Sequence, residues 1–197
     1  GMNRFYAVCH TFSSMGLGGF STHDASFGYF DSPTLEFIAV VFMLIAGMNF
    51  ATLYLALAHR SVMPYIKDPE APWFLVVTLG SVVVISFYLW ANGVYPDEAT
   101  ALRHSLFNVV SIATTTGYAS VDYALWPMFA PLWMLFLCSF ATSAGSTGGG
   151  IKMIRAILLY KQVNRELIRA IHPNAVYQVK VGSEVVPVNI LFAVLAF

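Results

Sequence analysis

The chain has 197 residues, of which 58% are hydrophobic and 10% charged, and its mean hydropathy is +0.69. Soluble domains carry about 25% charged residues, so this composition excludes an ordinary water-soluble fold and is that of a membrane protein. The net charge of zero selects no partner by itself, and no nucleic-acid partner is expected.

In chain order, the amino end "GMNRFYAVCHTF" lacks the charged, apolar and small-residue sections of a signal peptide. It holds a predicted short helix over 6–12, too short to cross a bilayer, and Gly/Ser/Thr-rich sequence follows. Residues 37–58 are then free of charge for 22 positions and 73–91 for 19. A helix of roughly 20 apolar residues crosses ~30 Å of hydrocarbon, so both are predicted spans. A second short helix is predicted over 101–113. The run 123–151 is uncharged but ends in "ATSAGSTGGG". Each glycine inside a helix costs about 1 kcal/mol, so this third span is predicted to break near its end. A fourth apolar run opens at Val185 and is still apolar at Phe197. More transmembrane chain is expected on both sides.

Eight of the ten Lys and Arg residues fall in or beside 59–72 and 152–184, which makes those segments cytoplasmic. The opposite side carries Asp24, Asp31, Glu36, Asp97, Glu98 and Asp122 with Arg4 and Arg103, and three crossings connect these placements consistently. Cys9 and Cys138 fit no disulfide framework or metal spacing and read as small apolar residues.

A shift of 98 residues aligns "SSMGLGGFSTHD" with "SIATTTGYASVD" without a gap. Each copy sits in the same order of parts: a helix too short to cross, an irregular Gly/Thr/Ser segment, and a long apolar run. Irregular backbone survives at membrane depth only inside protein or along a watery cavity. The short helices are therefore expected to be re-entrant, with the partial negative charge of their carboxyl ends favouring a cation beyond them. In "GLGG" and "TTTG", small residues and glycine permit backbone angles at which successive carbonyls replace an ion's water. The alternative is a pair of ordinary extracellular turns; the paired, equally placed copies favour a filter.

The segments "GGFSTHDASFGYFDSP", "IATTTGYASVD" and "AGSTGGGIKMIRAILLYKQVNRELIRAIHPNAVYQVKVG" closely resemble bacterial Trk-type potassium uptake proteins of the TrkH family, grouped with Ktr and plant HKT transporters, and the likeness runs over essentially the whole chain. The resemblance implies an all-α, multi-pass integral protein of the bacterial inner membrane that is not an enzyme. Four membrane-pore-membrane repeats would surround one K⁺ pathway with pseudo-fourfold symmetry, K⁺ being the transported ion. On this basis 1–59 hold the pore loop and inner helix of the second repeat, 60–71 a cytoplasmic loop, 72–171 the third repeat, and 172–197 a cytoplasmic connection and the start of the fourth. Gly16, Leu17, Gly18 and Gly19 form one filter strand and Thr114, Thr115, Thr116 and Gly117 another. The resemblance also implies an intramembrane gate over 141–150, with Gly145, Ser146, Thr147, Gly148, Gly149, Gly150 and Lys152 as its residues, whereas the residues alone weigh a plain helix end equally. Finally, it implies a homodimer seated on a cytosolic nucleotide-binding ring of the TrkA type.

Other residues carry paired readings. Lys152 faces the inner pore mouth or snorkels to the surface. Lys161, Arg165 and Arg169 recur every four residues, a basic stripe that meets either lipid and solvent or the regulatory ring. Asp24 and Asp122 concentrate cations outside or cap the following segment. His10 and Asn108, equivalent in the repeat, are expected to hydrogen-bond behind the filter, and Asn49 and Thr52 to bond between helices. "GSTGGGIKM" is not a phosphate loop, since Ile151 stands between glycine and Lys152 and Met153 follows. Two competing classes are an intramembrane hydrolase using Ser143 or Ser146 with His10 or His104, and a non-conducting scaffold.

Overall fold

The computed structural model describes residues 2–172, 178–182, 184–187 and 193. Most of the predicted fourth apolar run lies outside the described residues. Helix α1, Arg4–Met15, starts on the Asn3 side chain, which accepts from the Phe5 amide. A 3-10 turn at Ser26–Tyr29 leads to α2, Pro33–Gly47, which opens on a proline where the missing N–H costs nothing. Next come α3, Phe50–Ala58, the short α4, Met63–Lys67, and α5, Ala71–Ala91. Helix α6, Glu98–Ala113, is capped by Asp97, which accepts from the Thr100 amide at 2.8 Å. That amide, and then the Thr100 hydroxyl, hold the Asp97 carboxyl below its ordinary range. A second 3-10 turn, Tyr123–Leu125, precedes α7, Phe129–Cys138, and α8, Met153–Ile171. The antiparallel pair β1, Lys180–Val181, and β2, Glu184–Val185, sets Lys180 opposite Val185.

The core gathers around α6, which packs against α5, α2 and α7 and contributes the fully buried Phe107, Val109, Val110 and Ala113. Helix α5 is apolar on all sides: Phe74, Val82, Ile85 and Leu89 face inward, while Trp73, Val76, Val83 and Phe87 lie exposed on the other face. A helix apolar all round belongs in hydrocarbon or in a large core, and its 21 residues reach about 31 Å. Among the described residues α5 is the one continuous helix long and apolar enough to cross a bilayer.

The predicted span over 37–58 is not one helix. Helices α2 and α3 meet at 103°, because Met48 and Asn49 are extended and Asn49 restarts the helix by accepting from the Ala51 amide at 2.8 Å. Asn49 is thus a cap and, among the described residues, makes no interhelical bond, and the Thr52 hydroxyl donates to Asp68 in the α4–α5 connection. The backbone groups freed at the break are taken up by a distant loop: Ser143 N–H donates to Gly47 O at 3.0 Å, and Phe50 N–H to Gly145 O at 3.1 Å. The break predicted near the end of 123–151 begins earlier than the glycines, as α7 stops at Cys138 and the chain is irregular to Lys152.

On the side bearing most of the acidic residues, α6 is tied to α2 by Arg103, which donates to Glu36 at 2.6 and 2.9 Å and to Asp31 at 2.8 Å. The Glu36 side chain is only 5% exposed, whereas that of Asp31 is 81% exposed, so the Glu36 contact is the energetic one. Removing one partner of a buried ion pair costs about 3–5 kcal/mol, while replacing both by apolar groups is close to neutral. Arg103→Leu is therefore expected to lower the Tm in detergent by that equivalent, and Glu36→Leu added to it to recover most of the loss.

Candidate functional site

The two loops that follow α1 and α6 have the same backbone. Gly16 and Thr114 close their helices in the right-handed region, Leu17 and Thr115 have φ of 49° and 61°, and Gly19 and Gly117 have φ of 67° and 89°. The positive angles thus fall at identical repeat positions, and two of the four residues that adopt them are not glycine. A non-glycine residue pays about 1–2 kcal/mol there, so Leu17 and Thr115 are held by their surroundings. The amides turn back onto the preceding helix. Gly16, Leu17 and Gly18 donate to Phe12, Ser14 and Ser13 at 2.9, 3.3 and 2.9 Å. Thr114, Thr115, Thr116 and Gly117 donate to Val110, Ile112, Ser111 and Ser111 at 2.9, 2.9, 2.8 and 3.3 Å. The Thr114 and Thr116 hydroxyls bond each other at 2.7 Å, buried behind the strand, and Ser111 Oγ donates to the Tyr118 carbonyl at 2.7 Å.

With the amides and buried hydroxyls turned toward the helix, the carbonyls are left over. Among the described residues no protein donor reaches the carbonyl oxygens of 16–19 or 114–117. The two strands also converge. A Cβ at Gly19 would lie 2.1 Å from the Thr116 carbonyl oxygen, a contact that only glycine permits. Behind this contact the fully buried Tyr118 packs on Phe27 at 4.7 Å, and its hydroxyl lies 3.4 Å from the His10 and Phe20 carbonyls, joining the second loop to the first.

The irregular segment between α7 and α8 lies against both strands. Thr147 Oγ1 donates to Met15 O at 3.1 Å, at the foot of the first, and Gly149 N–H donates to Thr115 Oγ1 at 2.7 Å, on the second. Gly148 approaches so closely that a Cβ there would lie 2.4 Å from Thr142 Cγ2 and 3.0 Å from the Thr114 carbonyl. The segment holds its own shape through Thr142 Oγ1 to Gly149 O at 2.7 Å, Ser146 Oγ to Ser143 O at 2.6 Å and Ile151 N–H to Ser139 O at 2.7 Å. Lys152 donates to the Gly148 carbonyl and to Ser146 Oγ, so its ammonium binds the loop instead of snorkelling outward. Gly145 packs on Asn49, where a Cβ would lie 2.9 Å from Oδ1.

One residue at this site escapes sequence reasoning. Glu70, just before α5, is 5% exposed, and its Oε2 accepts from the Ala144 amide at 2.8 Å and the Ile154 amide at 3.1 Å. Burial raises its carboxyl above the ordinary range; the two amides and the Lys152 charge oppose that rise, and Asp68 adds to it. Its partners are main-chain groups, which carry no sequence signature; the available signal is an acid standing just before the predicted span 73–91.

Other singled-out residues fall into place around the strands. His10 bonds Ser21 Oγ at 3.0 Å and the Tyr6 carbonyl at 2.7 Å, and Asn108 bonds Ser120 Oγ at 2.9 Å, the arrangement expected of equivalent positions. Asp122 caps the Ala124 amide at 3.0 Å. His104 stacks on Tyr95 and meets Ser120, so neither candidate histidine is engaged with Ser143 or Ser146. The basic stripe on α8 is partly used internally: Lys161 donates to the Lys180 carbonyl at 2.6 Å, and the Arg165 side chain, 11% exposed, pairs with Glu166 at 3.0 Å. Both cysteines are free. Gly19 and Gly117, equivalent in the repeat, separate experimentally. Gly19→Ala is expected to cost about 2–5 kcal/mol, from overpacking and strain together. Gly117→Ala, where a Cβ meets nothing within 4 Å, is expected to cost only the ~1–2 kcal/mol of its backbone angle. Thermal unfolding followed by tryptophan fluorescence reads the difference.

Comparison with known proteins fixes the family. The chain matches TrkH, described as cation transport protein, over residues 1–197. It is 47% identical over 197 residues to the Trk system potassium uptake protein TrkH of Salmonella typhimurium, covering 100% of this chain and 41% of that protein. To the Trk system potassium uptake protein TrkG of Escherichia coli it is 38% identical, covering 100% of this chain and 40% of that protein. The crystal structure of the potassium transporter TrkH from Vibrio parahaemolyticus matches it with a TM-score of 0.95 at 43% identity, covering 100% of this chain and 42% of that one. The chain thus spans about 41% of the length of such curated relatives. With a family match over its whole length and a helical framework shared with a transporter of known structure, the chain belongs to the TrkH family of cation transport proteins.

Proposed function

We propose that this chain contributes half of the filter, and the gate, of a K⁺ uptake pathway in the bacterial inner membrane. The carrying observation is the set of eight backbone carbonyls, four on each of two converging strands, that no donor among the described residues reaches. Seven of their eight amides are spent on the pore helices, so the oxygens are free to replace the hydration shell of K⁺. The carboxyl ends of α1 and α6 add favourable potential for a cation. Gly16, Leu17, Gly18 and Gly19 form one strand and Thr114, Thr115, Thr116 and Gly117 the other. Potassium as the ion is supported by the names of the relatives, Trk system potassium uptake proteins. The chain acts as a conduit, not as an enzyme.

A pseudo-fourfold ring of repeats is supported by an asymmetry between equivalent aromatics. Tyr118 is fully buried on the preceding repeat, whereas Phe20, its counterpart, is 80% exposed, the surface on which another repeat would sit. The domain boundaries 1–59, 60–71, 72–171 and 172–197 follow from the same scheme. The gate is the loop of Gly145, Ser146, Thr147, Gly148, Gly149 and Gly150 with Lys152, because it sits against both strands and meets the Thr114 carbonyl. In the assembled protein we place a homodimer on a cytosolic nucleotide-binding ring of the TrkA type, facing 59–72 and the remaining charge of α8.

Ion flux through the complete polypeptide in proteoliposomes tests this reading. Gly117→Val is expected to lower K⁺ over Na⁺ preference about tenfold, since a loss of about 1.4 kcal/mol in relative site energy has that effect. Deletion of 146–150 is expected to raise unstimulated flux. An unchanged ion preference defeats the filter, and an unchanged basal flux defeats the gate.

A further inference from the structure

Glu70 is placed to hold the loop between α7 and α8 in position, a role that rests on the gate reading above. Its carboxylate is almost wholly buried but does not cap the helix it precedes. That task falls to Asp68, whose Oδ1 accepts from the Glu70 amide at 2.8 Å and the Ala71 amide at 3.1 Å, while its Oδ2 takes the Thr52 hydroxyl. The Glu70 side chain is thereby released to point at another part of the molecule. There a single oxygen receives two amides from opposite ends of the loop, Ala144 at 2.8 Å and Ile154 at 3.1 Å.

Both amides need such a partner. Ile154 lies in the first turn of α8, where a helix has no acceptor of its own for its amides, and the side chain of the cap residue Lys152 accepts none of them. Ala144 lies in irregular backbone, where the alternative is an unpaired donor. The negative charge also sits favourably at the positive end of α8. Between the two anchored points run Gly148, against the Thr114 carbonyl, and Thr147 and Gly149, bonded to Met15 and Thr115. Glu70 itself is fixed to the α4–α5 connection, in the segment of cytoplasmic charge pattern. A shift of that connection therefore reaches the loop through one side chain.

We propose that Glu70 is the positioning residue of the gate: a latch that pins both ends of the loop beneath the filter strands and couples the α4–α5 connection to it.

The test measures unstimulated K⁺ flux of the full chain in proteoliposomes for Glu70→Ala, Glu70→Gln and Glu70→Asp beside the 146–150 deletion. Loss of two hydrogen bonds to a charged acceptor corresponds to about tenfold or more in an equilibrium. E70A is thus expected to raise basal flux about tenfold, with the half-saturating K⁺ concentration and the K⁺/Na⁺ ratio unchanged. E70Q, whose amide oxygen accepts the same two N–H groups, is expected to stay near wild type. E70D keeps the charge but is one methylene too short to reach both amides, so its flux is expected to rise; it is the variant to read where E70A yields no monodisperse protein. Basal flux unchanged in E70A and E70D but raised by the deletion overturns the latch and leaves the gate standing. No rise in any of them overturns both. Equal loss of flux in E70A, E70D and E70Q, or a rise in E70Q matching that in E70A, overturns the latch as well.

Discussion

Peptide groups that leave a helix inside apolar surroundings have to find partners within the protein, because an unpaired one costs several kcal/mol in hydrocarbon. Several helix ends meet that demand together here. The carbonyl ending α2 takes the Ser143 amide, and the amide opening α3 gives to Gly145; the Met15 carbonyl ending α1 takes the Thr147 hydroxyl, and the Thr115 hydroxyl beyond α6 takes the Gly149 amide. The bend between α2 and α3 and the gap between α7 and α8 are therefore one feature seen from two sides. Each supplies the partners that the other lacks. Small residues are what allow it, since a Cβ at Gly148 would overlap Thr142.

Against that rule the filter-like strands stand out because they satisfy it only for donors. All four amides of 114–117 return to α6, and three of those in 16–19 return to α1. Strain marks the same positions, with Leu17 and Thr115 in the left-handed region despite their side chains. Two residues so unlike, at one register position of the two repeats, leave backbone direction as the shared requirement. Conformations of this kind persist where the surroundings over-determine them, and here the returning amides and the interstrand contact at Gly19 do so. Charge is treated alike at the two ends of the helix bundle: Glu36 is neutralised by Arg103 between α2 and α6, and Glu70 is met by amides between α5 and α8.

The parts legible in the sequence are those fixed by side chains near one another in the chain. The apolar run of α5, the paired loops 98 residues apart, the cap at Asp122 and a break within 123–151, though not its early start at Cys138, follow from local composition. The bend at Met48 does not. Hydropathy counts side chains, and 37–58 is unbroken by that measure; the bend depends on Ser143 and Gly145 in a loop far along the chain. Asn49 was correspondingly read as a bond between helices, though it restarts one. The flanking glycines drew attention at 16 and 18, while the left-handed residue between them is Leu17. Glu70 has no reading from the sequence, because nothing local says that its partners are amides of another segment.

These contacts divide the site into a stiff part and a soft part. The strands are tied to α1 and α6 by a row of main-chain bonds and packed under the fully buried Tyr118. The loop meets the strands through single hydroxyl bonds, each worth about 1 kcal/mol net, while main-chain bonds to Gly47 and Phe50 and the charged contacts of Lys152 and Glu70 hold it to the rest of the protein. Exchanging a few of these hydroxyl bonds for water would cost only a few kcal/mol and leave the main-chain bonds of the strands in place. Because Gly148 rests against the Thr114 carbonyl, even a small displacement of the loop changes the surroundings of that oxygen.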